Sequence, residues 1–211
     1  MDSGLSSKNK YIVAGIGTEI GKTIISAILV EALEADYWKP VQSGDLHLTD
    51  TDKVRALISN TVSIFHQEVY RLQEPMSPHA AAELEGLEIN PEKIQVPQTD
   101  RPLIVELAGG LMVPLNRQFL NIDLIAQLGL PVILVSRYYL GSINHTLLSI
   151  ELLKQRKISI AGIIFNGVEN PSSKSVILEY SGLRLLGEIA EEAEITREVV
   201  KGYGKKMRPN L

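Results

Sequence analysis

The feature of this sequence that most constrains its fold is an alternation of short apolar runs with segments of helical periodicity. The runs are continuous and bounded by turn residues, as buried parallel strands tend to be. They occupy residues 11–14, 102–105, 131–136 and 160–165. Between the last two runs, residues 143–156 carry apolar side chains on one helical face, namely Ile143, Leu147, Ile150 and Leu153. Alternating strands and helices predict an α/β fold, with a predominantly parallel sheet and helices on both faces.

Length and composition favour one soluble domain. The chain has 211 residues, 45% of them hydrophobic, which suffices for one substantial core and is short for two. We therefore predict a single domain over residues 11–211. Residues 1–10 are polar and serine-rich, unlike a secretory signal, and we expect a disordered N-terminal tail. No stretch reaches the roughly 20 apolar residues of a membrane span.

Charge and cysteine content exclude several classes of function. The formal net charge of -4, without long runs of one sign, provides no electrostatic footprint for nucleic acid or an anionic membrane. The chain has no cysteine, which excludes disulfides, thiolate metal sites and cysteine nucleophiles. We expect a cytoplasmic protein that acts on small molecules, with no nucleic-acid or membrane partner.

A glycine-rich loop follows the first predicted strand. Residues 15–23 read Gly-Ile-Gly-Thr-Glu-Ile-Gly-Lys-Thr and lead into a helical pattern that begins at Thr23. In the order strand, loop, helix, such a segment cradles phosphates with its backbone N–H groups. Lys22 is expected to reach the outer phosphates of ATP and Thr23 to ligate Mg²⁺. Ile16 stands where the common pattern has glycine, so the loop is a variant of the P-loop.

Two carboxylates are candidates for holding the magnesium that phosphoryl transfer requires. Glu106 ends the apolar run 102–105 and precedes Leu-Ala-Gly-Gly. An acid in that position is costly to bury unless it is paired or bound to metal. Asp52 opens a helical segment predicted over residues 52–59, where an N-terminal helix cap is the alternative explanation.

A second lysine lies at the end of another predicted strand. Lys39 follows the short apolar stretch Tyr37–Trp38 and begins the sequence Lys-Pro-Val-Gln-Ser-Gly. A lysine in this position usually points into water. Beside an ATP site, it can instead hold an anionic substrate group against the γ-phosphate, with Ser43 as a hydrogen-bond donor.

Five segments in order resemble the motif series of the dethiobiotin synthetases, a family of P-loop NTPase fold. They are Gly-Thr-Glu-Ile-Gly-Lys-Thr (17–23), Lys-Pro-Val-Gln-Ser-Gly (39–44), Glu-Pro-Met-Ser-Pro-His (74–79), Glu-Leu-Ala-Gly-Gly (106–110) and Leu-Gly-Ser-Ile-Asn-His (140–145). The resemblance extends over about residues 11–190. Each segment is weakly specific, and it is their common order and spacing that indicates the family.

The resemblance implies a cyclo-ligase of biotin synthesis that depends on ATP and Mg²⁺. In this family 7,8-diaminononanoate takes up CO₂ as a carbamate, ATP phosphorylates the carbamate, and the second amine displaces phosphate. The products are dethiobiotin, ADP and phosphate. No covalent enzyme intermediate is required, so catalysis is expected to depend on positioning and electrostatics.

The resemblance also implies a role for each residue that matches a family motif. The expected catalytic residues are Lys22, Lys39 and Ser43. The expected magnesium shell is Thr23, Asp52 and Glu106. The expected ATP site is Thr18, Glu19, Ile20, Gly21, Lys22, Thr23, Glu106, Leu107, Ala108, Gly109, Asn166 and Gly167, with Asn166 at the position that reads the adenine edge.

The family is homodimeric, and the resemblance implies that the far end of the substrate reaches the partner subunit. The expected substrate residues are Lys39, Ser43, Leu140, Gly141, Ser142, Ile143 and Asn144. The segment from Leu140 onwards is expected to offer the N–H groups of a helix N-terminus to the substrate carboxylate. The alternative is an ordinary helix start capped by Ser142. His79 and His145 match family histidines, for which packing or capping is an equal alternative.

Three positions depart from the family pattern. Leu107 replaces a usual glycine, and its side chain would crowd the phosphate-facing side of the loop at residues 106–110 unless it points into the core. Gly17 replaces a frequent aspartate. Ala190 replaces a usual proline, which leaves the base-binding segment at residues 190–194 undefined.

Two other functions compete with this interpretation. An ATP-driven dimerisation switch of the partitioning type usually carries an extra lysine early in the P-loop, at the position that Gly17 occupies here. Such a switch also has a basic or amphipathic terminal segment for DNA or membrane, which this sequence lacks. A related amidoligase generally adds a glutamine-hydrolysing domain, for which this chain has neither the length nor the cysteine.

Overall fold

The structure is a computed structural model, and it describes residues 9–211. Residues 1–8 of the predicted tail lie outside the described residues, and Lys10 already belongs to the first strand. The described strands are β1 (Lys10–Gly15), β2 (Asp36–Trp38), β3 (Val41–Ser43), β4 (Phe65–His66), β5 (Tyr70–Leu72), β6 (Leu103–Gly110), β7 (Val132–Arg137), β8 (Ile160–Asn166) and β9 (Leu185–Ile189). The described α-helices are α1 (Lys22–Leu33), α2 (Asp50–Leu57), α3 (Pro78–Leu84), α4 (Asn121–Leu128), α5 (Ser142–Gln155), α6 (Pro171–Ser181) and α7 (Arg197–Met207). Two short 3₁₀ helices cover Pro91–Lys93 and Arg208–Asn210.

Seven of these strands form one sheet in the order β4-β2-β6-β1-β7-β8-β9, and every neighbouring pair is parallel. A parallel pair needs a crossover connection, which the helices supply. The two remaining strands, β3 and β5, pair in parallel as a small second sheet. The α/β fold with a parallel sheet, predicted from the sequence, is confirmed.

The two faces of the large sheet pack against separate groups of helices. Along β1, Ile12 belongs to one buried cluster and Val13 to the other, because successive strand side chains point to opposite faces. The cluster around Ile12 includes Ile150 of α5, and the cluster around Val13 includes Ile28 of α1 and Val200 of α7. Both faces are thus covered, as an all-parallel sheet requires.

The predicted elements appear with small shifts in their ends. The predicted strands correspond to β1, β6, β7 and β8, and β6 runs on to Gly110. The helix predicted over 143–156 is α5, although Ile143 of its apolar face is 37% exposed. The helix predicted from Asp52 begins at Asp50, which changes the site described below. None of the helices within residues 9–211 has the length and apolar character needed to cross a membrane.

Candidate active site

A cleft of about 810 Å³ opens beside the P-loop. Its lining comes from the ends of several strands and from the loops that follow them. Parallel strands gather their carboxyl ends at one edge of the sheet, which is where such folds bind ligands. The predicted site residues that line the cleft are Thr18, Glu19, Ile20, Gly21, Lys22, Thr23, Lys39, Ser43, Glu106, Ala108, Gly109, Asn166 and Gly167.

Side chains from neighbouring strands hold the P-loop in shape. The Asn166 Nδ2 atom donates to the Ile20 carbonyl at 2.8 Å, and the Arg137 guanidinium donates to the Glu19 carbonyl at 3.1 Å. Gly21 has φ of 92°, in the left-handed region, and a Cβ atom there would collide with the Asn166 amide. Glycine is therefore required at position 21 on both counts.

Gly21 is also the N-cap of α1, and it has no side chain with which to cap this helix. The first N–H groups of a helix have no partner within the helix, and they carry partial positive charge. An uncapped N-terminus that opens into a cleft is suited to binding an anion.

Lys22 is buried beside the loop, where its Nζ atom donates to the Gly17 carbonyl at 2.9 Å. The pKa of Lys22 is lowered to about 8, chiefly by burial. The carboxylates of Glu106 and Asp50 act to raise this pKa, and the charge of Lys39 acts with burial to lower it. Lys22 is thus a cation whose charge is costly without a nearby anion. Phosphate oxygens are anions of the kind that this position favours.

Glu106 is the centre of a buried cluster beneath the P-loop. Its Oε1 atom accepts from Thr23 Oγ1 at 2.9 Å and from Lys39 Nζ at 3.1 Å. Its Oε2 atom accepts from the Tyr37 hydroxyl at 3.0 Å. Only 1% of Glu106 is exposed, so these partners compensate for the loss of water around the carboxylate.

Asp50 completes this cluster. Its Oδ1 atom accepts from Thr23 Oγ1 at 3.1 Å, and its Oδ2 atom lies 2.7 Å from Lys39 Nζ. The sequence had indicated Asp52, two residues further along α2, but it is the Asp50 carboxylate that the structure places beside Thr23 and Lys39. Asp52 forms a capping box with Thr49 and an ion pair with Arg55 at 3.1 Å, and its carboxylate is not among the groups that line the cleft.

The charges in this cluster stabilise one another. Burial acts to lower the pKa of Lys39, but the carboxylates of Glu106 and Asp50 outweigh it and raise the pKa of Lys39 above its ordinary value. Burial alone would raise the pKa of Asp50, but the adjacent Lys39 lowers it. The pKa of Tyr37 lies well above its usual range because of burial and the charge of Glu106. Lys39 is therefore a permanent cation between two carboxylates.

Ser43 ends β3 and lines the same cleft. Its hydroxyl oxygen is buried and has no hydrogen-bond partner within the described part of the chain. A buried hydroxyl without a partner costs free energy unless a ligand supplies one. The geometry therefore leaves a polar contact open in the cleft near Lys39.

Leu107 does not contact the cleft, contrary to its place in the predicted ATP site. It is 2% exposed and belongs to the same buried cluster as Ile12. The side chains of Glu106 and Leu107 point to opposite faces of β6, so the unusual leucine does not crowd the phosphate side. Ala108 and Gly109, the next residues of β6, line the cleft.

The far wall of the cleft is formed by the segment after β9. Ala190, Glu191, Glu192 and Ile195 all line it. The Ala190 N–H donates to the Tyr203 hydroxyl at 3.1 Å, and that hydroxyl donates to a Glu192 carboxylate oxygen at 2.5 Å. Tyr203 thus fixes this segment from α7.

The predicted substrate segment, Leu140 to Asn144, is not part of this chain's cleft lining. Leu140 is fully exposed, and Gly141 rather than Ser142 is the N-cap of α5. Gly141 has no side chain with which to cap α5, so the alternative of a Ser142 cap is wrong. Gly141, Ile143 and Asn144 at the start of α5 are exposed on this chain.

Among residues that the sequence did not single out for the site, Asp50, Tyr37 and Arg137 form hydrogen bonds with predicted site residues. For Asp50 a signal was available. The sequence Thr49-Asp-Thr-Asp52 fits a capping box, with Thr49 before the helix and an acidic residue three positions on. That pattern assigns Asp52 to the cap and leaves Asp50 free for the cleft.

Comparison with known proteins identifies the family. A family model described as an AAA domain matches residues 9–199. The chain is 52% identical over 201 residues to an ATP-dependent dethiobiotin synthetase BioD of Christiangramia forsetii, covering 95% of this chain and 97% of the relative. It is 50% identical to the BioD of Cytophaga hutchinsonii, covering 95% and 98%, and 45% identical to that of Nitrobacter hamburgensis, covering 91% of each.

Solved structures with the same fold are much more distant in sequence. A ParA family ATPase from Chlorobium tepidum matches with a TM-score of 0.54 and 12% identity, covering 97% of this chain and 92% of that one. A chain of the MinC:MinD cell division protein complex of Aquifex aeolicus matches with a TM-score of 0.55 and 11% identity, covering 96% of each. These two comparisons support the P-loop fold alone. The close relatives decide the family, and the chain belongs to the ATP-dependent dethiobiotin synthetases.

Proposed function

We propose that this enzyme closes a cyclic urea on 7,8-diaminononanoate. One amine takes up CO₂ as a carbamate, ATP phosphorylates the carbamate oxygen, and the second amine attacks the carbonyl carbon and expels phosphate. The products are dethiobiotin, ADP and phosphate. The observation that carries the proposal is the second buried lysine, Lys39, which lines the same cleft as the P-loop lysine Lys22.

The nucleotide part of the proposal follows from the loop. The carbonyls of Gly17, Glu19 and Ile20 already accept hydrogen bonds from side chains. The N–H groups of the loop and the uncapped start of α1 are suited to phosphate oxygens. Lys22 supports the outer phosphates, and Asn166 retains its amide oxygen and one amide hydrogen for the base.

The donor set beneath the loop fits Mg²⁺. The Thr23 hydroxyl lies within hydrogen-bond distance of the Asp50 carboxylate and of the Glu106 carboxylate. No group of three or more acidic or histidine side chains within residues 9–211 is arranged to hold an ion. Mg²⁺ suits the smaller set because it typically takes one or two carboxylates and completes its shell with phosphates and water. When bound, it neutralises charge on the phosphate oxygens.

Lys39 and Ser43 act on the substrate rather than on ATP. The ammonium of Lys39 stabilises the carbamate and the charge that develops as the phosphoryl group is transferred. The unpaired Ser43 hydroxyl donates to the same anion. A fixed cation and a fixed donor in a water-poor cleft cost no reorganisation during the reaction.

The remaining parts of the proposal concern assembly. We propose a homodimer in which the uncapped N-terminus of α5 and the exposed Leu140 of one subunit approach the cleft of the other. The free N–H groups of α5 then receive the substrate carboxylate. We also propose a cytoplasmic location, which agrees with the lack of cysteine in the sequence.

A dimerisation switch of the partitioning type is the competing function. The ParA and MinD matches support only the shared fold, at 11–12% identity. A switch needs to hold and hydrolyse ATP, for which Lys22, the loop amides and magnesium suffice. It has no need for Lys39 and an unpaired Ser43 in the same cleft.

The test separates nucleotide binding from ring closure. At saturating Mg²⁺, Lys39→Ala should leave the affinity for an ATP analogue nearly unchanged and reduce dethiobiotin formation by several orders of magnitude, because a fixed charge in a dry site contributes several kcal/mol. Lys39→Arg should also be poor, since a planar guanidinium does not replace a compact ammonium between two anions. The control is Lys53→Ala, which removes a more exposed lysine 3.5 Å from Asp50 and should cost far less. Equal loss of ATP affinity and product formation in Lys39→Ala would make Lys39 an ATP-site residue and refute the proposal.

A further inference from the structure

A buried tyrosine holds one oxygen of the proposed metal ligand Glu106. The Tyr37 hydroxyl donates to Glu106 Oε2 at 3.0 Å, and both side chains are essentially without solvent contact. Tyr37 was not identified by its sequence pattern, and the chemistry proposed above makes no use of it. Its position allows the Tyr37 hydroxyl to hold the Glu106 carboxylate in one orientation at the proposed metal site.

Tyr37 has little freedom to move. It lies in β2, between β4 and β6, and its backbone N–H donates to the Ile64 carbonyl at 2.9 Å. Its ring is fully buried and lies 5.9 Å, centre to centre, from the ring of Phe65. The hydroxyl is therefore presented to Glu106 from a rigid strand rather than from a loop.

The two oxygens of Glu106 consequently have different surroundings. Oε1 accepts hydrogen bonds from Thr23 and Lys39, which lie beside the P-loop. Among the described residues, the hydrogen bond to Oε2 comes from the Tyr37 hydroxyl. A phenol O–H that faces a carboxylate oxygen occupies a lone pair that a metal would otherwise use. Rotation of the carboxylate to offer both oxygens to an ion would break this hydrogen bond in a buried site.

We propose that Tyr37 is a positioning residue that restricts Glu106 to a single-oxygen metal ligand and thereby favours Mg²⁺ over Ca²⁺. The inference rests on the proposed function, since it assumes that Glu106 holds the metal. Mg²⁺ requires compact, near-octahedral coordination, and a one-oxygen carboxylate suits it. Ca²⁺ takes six to eight oxygens and commonly uses both oxygens of a carboxylate. A carboxylate locked in one orientation therefore penalises the larger ion.

The experiment measures the affinity of a non-hydrolysable ATP analogue with Mg²⁺, with Ca²⁺ and with neither. In the wild-type protein, the analogue should bind more tightly with Mg²⁺ than with Ca²⁺. Tyr37→Phe keeps the ring and removes the hydroxyl, and the preference for Mg²⁺ should fall about tenfold, the lower end of what loss of a group that orients a metal ligand costs. The affinity without metal should not change.

The matched control is Tyr70→Phe. The Tyr70 hydroxyl also takes part in a hydrogen bond, with the Asn90 N–H at 2.9 Å, but Tyr70 is not among the residues that line the cleft. Tyr70→Phe should leave the preference for Mg²⁺ as in the wild type. A general loosening of the fold in Tyr37→Phe would weaken binding under all three conditions, whereas loss of positioning changes only the ratio.

The outcomes separate this inference from the proposed function. If Mg²⁺ does not strengthen analogue binding in the wild-type protein, the proposed metal site fails. If Mg²⁺ strengthens it and the Mg²⁺ to Ca²⁺ ratio is the same in Tyr37→Phe, the role of Tyr37 is refuted and the metal site stands. A crystal structure of the wild-type protein with Mg²⁺ and the analogue needs no variant: Glu106 should contact the ion through one oxygen with the other on Tyr37, and contact through both oxygens would overturn the inference.

Discussion

Lys22 is a buried cation with a lowered pKa, and we expect nucleotide binding to depend on pH for that reason. Burial lowers the pKa of Lys22 to about 8. A bound phosphate favours the charged form and so raises the pKa again. Above pH 8 the free protein loses the Lys22 proton, and nucleotide binding must take a proton up. Affinity is therefore constant well below pH 8 and decreases as the pH rises above it.

We predict that the affinity for an ATP analogue with Mg²⁺ falls by up to about tenfold per pH unit above pH 8, the slope that uptake of one proton gives. Titrations at pH 7 and pH 9 measure it. Lys22→Arg is the control, because a guanidinium stays charged throughout this range. That variant should bind less tightly but with little change between the two pH values. The same slope in both proteins would show that Lys22 is not the group that titrates.

Asp50 and Asp52 provide a second test at the level of single residues. Asp50→Asn removes a carboxylate from the cluster of Thr23, Lys39 and Glu106, and it should lower turnover far more than stability. Asp52→Asn weakens the capping box of α2 and should cost about 1 kcal/mol of stability or less, with turnover intact. Steady-state turnover and urea unfolding of both variants measure this. The opposite pattern would restore Asp52 as the metal ligand.

The sequence predicted those site residues that follow a motif along the chain. Lys22 and Thr23 are fixed by the loop, and Lys39 and Glu106 follow apolar runs. Asp50 was missed because helical periodicity does not define the first residue of a short helix. Tyr37 and Arg137 were missed for another reason: their partners are 69 and 118 residues away in the sequence, so only the order of strands brings them together.

At the level of elements, α7 positions the segment that lines the far wall of the cleft. Tyr203 accepts from the Ala190 N–H and donates to Glu192. The family usually has proline at the position of Ala190, and a proline has no N–H to donate. In this chain a hydrogen bond to Tyr203 restrains the backbone at that position.

We predict that Tyr203→Phe weakens ATP binding by at least about fivefold and leaves the maximal rate unchanged, since the variant loses the hydrogen bonds to Ala190 and Glu192 and one such bond is worth about 1 kcal/mol. The KM for ATP and kcat measure the two effects. Tyr180→Phe, at an exposed position on α6, is the control and should change neither. A fall in kcat at unchanged KM would place Tyr203 in the chemistry rather than in the support of the cleft lining at Ala190 and Glu192.

The elements that the sequence predicted are those in the middle of the sheet. Central strands are buried on both faces, so they read as continuous apolar runs, as β1, β7 and β8 do. The edge strands give weaker signals: β4 has two residues, and β9 is interrupted by Gly187 and Glu188. The small sheet of β3 and β5 has three-residue strands that depend on tertiary contacts.

At the scale of the whole molecule, one parallel sheet explains why residues distant in sequence meet in one cleft. The P-loop follows β1, Lys39 follows β2, Glu106 lies in β6, and Asn166 ends β8. The single domain over residues 11–211 stays a prediction, which one continuous sheet with two covered faces supports. This arrangement is consistent with the proposal that a nucleotide and an anionic substrate bind side by side.

The most direct test of the proposed function is formation of the cyclic urea itself. The protein is incubated with ATP, Mg²⁺, ¹³C-bicarbonate and 7,8-diaminononanoate, and the products are analysed by mass spectrometry. We predict dethiobiotin with the label in its urea carbon, in amounts equal to the ADP formed, and no product when ATP or Mg²⁺ is left out. ATP hydrolysis that proceeds at the same rate without the diamine, and yields no labelled urea, would contradict the proposed synthetase activity and favour the dimerisation switch.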